Sequence, residues 1–408
     1  MISVTKHTRG VRRCFMMCWI GYALAYMCRM NYSMAMPFIS ADLPHLAERT
    51  GVIGSFFFFS YACGQLVCGY LGDRTRPERM IFLGLLFSAL ANAAFGFARS
   101  FFGMAGAWLL NGCFQSMLWG PIIRIVSRIY SAEEYNRVTP VLMLSTVTGY
   151  LAAWLLSGVL SSLWSWRFAM WVPAALLFAY AVYWFFGIGD VGALRADASR
   201  PADDAHGQPQ RIGMLDMLTK AKLWPVLGAS FCQGMVKDGI SLWAPMYFLT
   251  LFGMSFSDTI GFILLIPVFN ALGVCFASWL NRRMRYRERR TSALLFCLTL
   301  ALLAAVVRAG GVSILAAALL VAAASGMSHG TNSILLSFLP LKCSIYGRSS
   351  TVAGLMDFCS YLGVAVSSVG VGALVARGHV ALIPAAWLLA AACGTGCMLL
   401  SQEKPGNR

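Results

Sequence analysis

Apolar residues run along this chain in long unbroken blocks separated by short polar stretches, rather than alternating with polar positions. Each block reaches about 18 residues or more, enough to cross the hydrocarbon core of a bilayer as a helix. The pattern predicts twelve spans, at 14–36, 51–72, 80–98, 101–123, 140–160, 167–187, 224–250, 259–279, 291–308, 311–336, 350–376 and 380–400. Continuous apolarity argues against a membrane β-barrel, whose strands alternate and run only about ten residues. The predicted fold class is therefore an all-α polytopic membrane protein in a lipid bilayer. The first block exceeds the core of a signal peptide and no small-residue cleavage site follows it, so it is predicted to remain as a span.

Composition agrees with this reading: of 408 residues, 59% are hydrophobic and 12% charged, too few charges to cover a soluble surface. A net charge of +16 raises the question of nucleic acid, but the placement of the charges answers it. Loops on one side carry 25 Lys and Arg, from Lys6 to Arg13, Arg74 to Arg79, Arg124 to Arg137, the 188–223 segment, Arg282 to Arg290, Lys342, Arg348 and the tail. The other side carries five: Arg49, Arg99, Arg167, Arg308 and Arg377. Basic residues accumulate on the cytoplasmic face of membrane proteins, which puts both termini in the cytoplasm and predicts no nucleic-acid partner. The 13 cysteines show no metal-ligand spacing, and the sequence predicts neither metal nor cofactor.

The longest interruption, 188–223, is rich in Ala, Asp, Arg, Pro and Gly and reads as a cytoplasmic linker. It divides the chain into an N-terminal six-helix half, 1–187, and a C-terminal six-helix half, 224–408. Sliding the sequence on itself by 208 residues places Arg29 on Lys237, Pro37 on Pro245, and Asp73-Arg74 on Asn281-Arg282. These matches share one offset and fall at equivalent topological places, which predicts two pseudo-symmetric halves.

Arg29 and Lys237 lie inside apolar spans, 16 and 15 residues beyond Arg13 and Lys222. At 1.5 Å per residue both sit about 22–24 Å from a cytoplasmic anchor, at matching depths on repeat-related helices. A cation there costs from roughly a few to more than ten kcal/mol unless it meets water or a partner. A central cavity is the natural location, and two cations facing it imply a small anionic substrate. Guanidinium offers a planar fork and ammonium a point charge, so phosphate esters fit best and dicarboxylates second. Tyr22, Tyr26 and Tyr32 flank Arg29. Asp238 stands about 100° round the helix from Lys237 and is not expected simply to neutralise it. A structural role for either cation, paired or capping carbonyls, is the competing account.

Other polar residues in the spans carry two readings each. Asp357 is a proton carrier, a partner for Lys237, or an interhelical hydrogen-bonding group; His329 is a titrating group or a packing contact. Asn31, Gln65, Gln115, Gln233 and Asn332 either line the cavity or bind helices together. The segment GYLGDRTRPERM ends the second span with Gly69, Gly72, Asp73 and Arg74, followed by a basic turn with Arg76 and Pro77. With Arg282 at the equivalent place in the other half, this cluster is predicted to act as a cytoplasmic gate.

The stretch Gly69 to Arg79 resembles the loop signature between the second and third helices of the major facilitator superfamily. Tyr26 to Pro37, YMCRMNYSMAMP, is similar to the first-helix signature of the organophosphate:phosphate antiporters, the glycerol-3-phosphate and hexose-phosphate carriers. Val236 to Phe248 resembles their seventh helix and MLWGP, Met117 to Pro121, part of their fourth. The resemblance implies the major facilitator fold, a monomer, and phosphoryl binding by the basic residues matching Arg29 and Lys237. With Tyr26, Asn31, Tyr32, Gln65, Trp119 and Asp357, read from their places in the spans and motifs, these two cations make up the expected binding set. Lysine replaces the family's seventh-helix arginine. Gln65 and Thr146 stand where glycerol-phosphate carriers have lysine and histidine, which argues against glycerol-3-phosphate as substrate.

The expectation is a secondary carrier, not an enzyme, in a bacterial inner membrane, exchanging a phosphate ester for inorganic phosphate by alternating access. Exchange is expected to be obligatory, because an empty site would hold unbalanced cations. The rivals are a proton-coupled carboxylate symporter using Asp357 or Asp238, and a membrane sensor of sugar phosphates.

Overall fold

The computed structural model describes residues 2–72, 75–130, 132–188, 216, 218–219, 222–253, 261–309, 313–339 and 349–402. The helices are α1 (Ile2–Asp42), α2 (Thr50–Gly72), α3 (Pro77–Phe97), α4 (Phe101–Gln115), α5 (Trp119–Ile129), α6 (Ala132–Leu163) and α7 (Trp166–Gly187). The chain continues through α8 (Trp224–Phe252), α9 (Leu265–Arg283), α10 (Glu288–Ala309), α11 (Ile314–Ser333), α12 (Ser349–Ala376) and α13 (Ile383–Leu400). α4 and α5 share one predicted span, so the helices correspond to the twelve spans. Among the described residues, nine helical segments are individually long and apolar enough to cross a membrane. The spans outside that set are α1, with Arg29 and Asn31, the broken fourth span, and α8, with Gln233, Lys237 and Asp238.

Local sequence sets the helix ends. Ser100 and Ser165 cap α4 and α7 by accepting from the backbone N–H groups of Gly103 and Arg167. Pro77 opens α3, where its missing N–H leaves no helical bond unmade. Gly253, at φ 59°, closes α8 in the left-handed conformation that glycine adopts without strain.

The fourth span departs from expectation. A single helix over 101–123 is predicted, but α4 stops at Gln115 and a turn at 116–118 leads into α5, which runs on to Ile129. Two features break it. Pro121 has no N–H for the Met117 carbonyl, and Ser116 Oγ bonds back to the Cys113 carbonyl at 2.6 Å. α1 also extends beyond 14–36 at both ends.

The chain packs as two units, Met1–Pro44 with Cys63–Ala205, and His45–Ala62 with His206–Arg408. In the first, Cys18, Leu85, Ile125, Leu177 and Trp184 belong to one buried cluster. In the second, Val226, Phe296, Leu335, Met356 and Met398 form another. Glycines allow close helix approach in this second unit. A methyl on Gly234 would strike the Ser360 carbonyl, one on Gly363 the Phe231 carbonyl, and one on Gly273 the Gly326 carbonyl.

Candidate functional site

In the first unit, Arg29 is buried on α1 and 4% exposed. Its Nε donates to Gln115 Oε1 at 3.0 Å, and its guanidinium lies 4.4 Å from the centroid of the Tyr26 ring. Gln115, the last residue of α4, is fixed at its other end. Its Nε2 donates to the Ala25 carbonyl at 3.0 Å, Ser88 Oγ at 3.1 Å and Asn111 Oδ1 at 3.2 Å. Three acceptors around the amino group leave the carbonyl oxygen to face Arg29.

The network continues away from Arg29. Ser88 Oγ donates to Asn111 Oδ1 at 2.6 Å, and both Asn111 Nδ2 and Asn92 Nδ2 donate to the Cys28 carbonyl at 3.0 Å. A satisfied ladder of amides on α3 and α4 therefore holds the face of α1 that carries the arginine. Tyr26 is packed in turn by Tyr22 and Tyr150, at centroid distances of 5.1 and 5.5 Å, and Trp119 lies 4.9 Å from Tyr22. The structure thus groups Arg29, Tyr26 and Trp119 with Gln115, Tyr22 and Tyr150.

Asn31 and Tyr32 are committed elsewhere. Asn31 Nδ2 donates to Asn92 Oδ1 at 2.9 Å and to the Ala169 carbonyl at 3.1 Å. Tyr32, fully buried, packs against Phe95 and Trp108. Gln65, on α2, has a buried Nε2 with no hydrogen-bond partner among the described residues.

In the second unit, Lys237 and Asp238 on α8 are 7% and 4% exposed, and Lys237 Nζ lies 2.9 Å from Asp238 Oδ2. The sequence argument that Asp238 leaves Lys237 unneutralised is therefore wrong. Cα directions differ by about 100° between neighbours, but the lysine stem is long enough to bring its ammonium back to the next carboxylate. Lys237 Nζ also sits 5.5 Å from the centroid of the Tyr361 ring on α12. Tyr361 packs on Tyr61, 4.4 Å between centroids, and stacks with Phe58. Asp357 lies one turn before Tyr361 and is half-buried. One turn before Lys237, Gln233 donates to the Ser328 carbonyl at 3.3 Å and accepts from Ser360 Oγ at 3.1 Å. His329 Nδ1 lies 3.0 Å from the Ser325 carbonyl, a contact within α11.

Sequence reasoning named Gln115 only as a polar group in a span and missed Tyr150 and Tyr361. Tyr361 carried a signal in its place one turn after Asp357. The 208-residue offset also places Ala25 on Gln233. The same junction is bridged by an amide in both units, from α4 to the Ala25 carbonyl in one and from α8 to the Ser328 carbonyl in the other.

Of the gating residues, Gly69 and Gly72 lie on the last turn of α2, while Asp73 and Arg74 are outside the described residues. Arg76 is exposed just before α3. The following turn is held by Arg124, donating to the Thr75 carbonyl at 3.1 Å, and Trp184, donating to the Glu78 carbonyl at 3.0 Å. Arg282 is exposed at the end of α9, where Arg285 and Tyr286 adopt left-handed φ of 54° and 55°. Asn281 secures that turn, its carbonyl accepting from Tyr286 N and its side chain from Thr291. Most of the 188–223 segment lies outside the described residues.

A profile of the Major Facilitator Superfamily matches residues 18–368. The chain is 26% identical over 309 residues to a probable hexose phosphate transport protein of Chlamydia pneumoniae, covering 71% of this chain and 68% of that one. It is 23% identical over 297 residues to the membrane sensor protein UhpC of Escherichia coli, covering 68% and 66%. Among solved structures, a bacterial homologue of the human lysosomal transporter Spinster, inward-facing and unoccupied, matches with a TM-score of 0.73. That match has 14% identity and covers 97% of this chain and 99% of that one.

Proposed function

Because the chain belongs to the Major Facilitator Superfamily and is a multi-pass membrane transport protein, we propose that it carries a phosphate ester across a bacterial inner membrane by alternating access. The observation that carries this reading is the pair of buried cations on repeat-related helices: Arg29 held by Gln115 over Tyr26, and Lys237 beside Tyr361. The similarity to a probable hexose phosphate transport protein supports the substrate class. In this reading the Arg29 guanidinium and the Lys237 ammonium supply the positive charge that recognises the phosphoryl group. Gln65 offers an unspent N–H donor, with Tyr26, Trp119 and Asp357 as further contacts; Asn31 and Tyr32 position α1.

Inorganic phosphate is the exchange partner, since it carries the same recognised group. The clusters around Gly69–Arg76 and at Arg282 act as the cytoplasmic gate, both termini face the cytoplasm and the protein is a monomer. The test is counterflow in proteoliposomes preloaded with inorganic phosphate, using labelled phosphate against a panel of phosphate esters and dicarboxylates. Arg29→Ala is expected to abolish the flux while the protein stays folded and monodisperse. Wild-type rates in that variant would refute the assignment. The similarity to a membrane sensor supports a second reading, in which phosphate esters bind without flux; saturable binding in the absence of counterflow would establish it.

A further inference from the structure

We infer that Asp238 is a built-in counter-anion for Lys237, which competes with the transported anion and lets the empty carrier reorient, so that exchange is facultative rather than obligatory. This rests on the reading above that Lys237 binds the anion.

The electrostatic case for obligatory exchange is that an empty site holds bare cations which resist transfer into low dielectric. The ion pair removes that obstacle for one of the two. Lys237 and Asp238 are both buried, and their charged atoms are 2.9 Å apart. They are also consecutive residues of one helix. An ion pair between two helices is made and broken as the helices move apart, but this one travels with α8 through any rearrangement. Only a competing anion undoes it, or a proton on the carboxylate.

The polar group one turn before Lys237 on the same helix is an amide and carries no charge. Gln233, one turn away, is occupied by Ser328 and Ser360. Tyr361 offers the ammonium a ring face 5.5 Å away, which favours the cation but does not cancel its charge. The Lys237–Asp238 pair therefore adds no net charge of its own to α8 when the site is empty. An arriving phosphoryl group meets a lysine that is already paired and must displace the carboxylate.

The experiment uses purified full-length protein in proteoliposomes loaded with labelled inorganic phosphate, the membrane potential clamped. Efflux is followed into phosphate-free buffer and into buffer containing phosphate. For the wild type the two rates should agree within about threefold. Asp238→Asn should raise the ratio of stimulated to unstimulated efflux by about tenfold or more, and tighten phosphate binding to the solubilised protein by a similar factor. Asp238→Glu keeps the charge and should behave as the wild type.

Wild-type efflux that requires external phosphate would overturn the inference, as would an Asn variant with unchanged ratio and affinity or a Glu variant as strict as Asn. If the Asn variant does not fold, the wild-type ratio and the Glu variant still decide. Exchange that is present but strict rejects this inference alone. Absence of any phosphate or phosphate-ester flux rejects the functional reading and the inference with it.

Discussion

Replacing Gln115 by leucine should weaken anion binding without unfolding the carrier, and the size of the effect can be worked from the contacts. Leucine is close to glutamine in volume, so little cavity is left between α1 and α4. Below it, Ser88 and Asn111 remain bonded to each other at 2.6 Å, and Asn111 and Asn92 still donate to the Cys28 carbonyl. The loss is concentrated on Arg29, whose Nε would no longer have its acceptor at 3.0 Å. A buried hydrogen bond to a charged group contributes about 1.5–3 kcal/mol. If that orientation is what the phosphoryl group requires, the dissociation constant for inorganic phosphate should rise roughly ten- to a hundredfold. Calorimetric titration of detergent-purified protein measures this, with the thermal midpoint as the control for folding.

A second comparison isolates the mechanism. Lysine at position 29 has no Nε–H to give, so Gln115→Leu should add no further loss in an Arg29→Lys background. A Leu variant that binds phosphate within about twofold of wild type, or losses that add fully in the double variant, would refute the positioning role.

Two further outcomes are expected. Gly273→Ala should lower the thermal midpoint, by an amount corresponding to about 1–3 kcal/mol, because its methyl would run into the Gly326 carbonyl; Gly261→Ala, with nothing within 4 Å, is the matched control. Equal midpoints for the two would refute the close α9–α11 packing. At the end of α1, hydrogen bonds from Trp166 and Arg167 hold the Asp42 carboxyl below its ordinary range. Its small, solvent-screened contribution should be present above the ordinary carboxylate range and fade as pH falls through the depressed value. The midpoint difference between wild type and Asp42→Asn should accordingly close in acid.

Much of the fold was legible because lipid imposes one requirement on every span, and a run of apolar residues states it directly. The break in the fourth span was written in Ser116 and Pro121, but hydropathy is blind to whether a carbonyl has a donor. The depth of Arg29 and Lys237 was legible from helical rise and anchoring charges. Their environments were not. Gln115 reaches Arg29 from 86 residues away, a relation fixed only when α1 and α4 pack. Asp238 was misjudged for a different reason: helix geometry describes where Cβ points, and a lysine terminus ranges several ångströms beyond it. Asn31 and Tyr32, close to Arg29 in sequence, pack α1 against α3, α4 and α7, since successive residues on a helix face different neighbours.

The two cations also differ in how readily a lineage can retune them. Lys237 has its counter-charge on the next residue, so a single substitution at 238 changes the charge balance whatever the neighbouring helices hold. Arg29 is held through a hydrogen-bonded chain drawn from α1, α3 and α4, so its setting depends on residues of three helices at once. If exchange works as proposed, its coupling is open to change by single steps at α8, whereas the setting of Arg29 changes only together with its partners on α3 and α4.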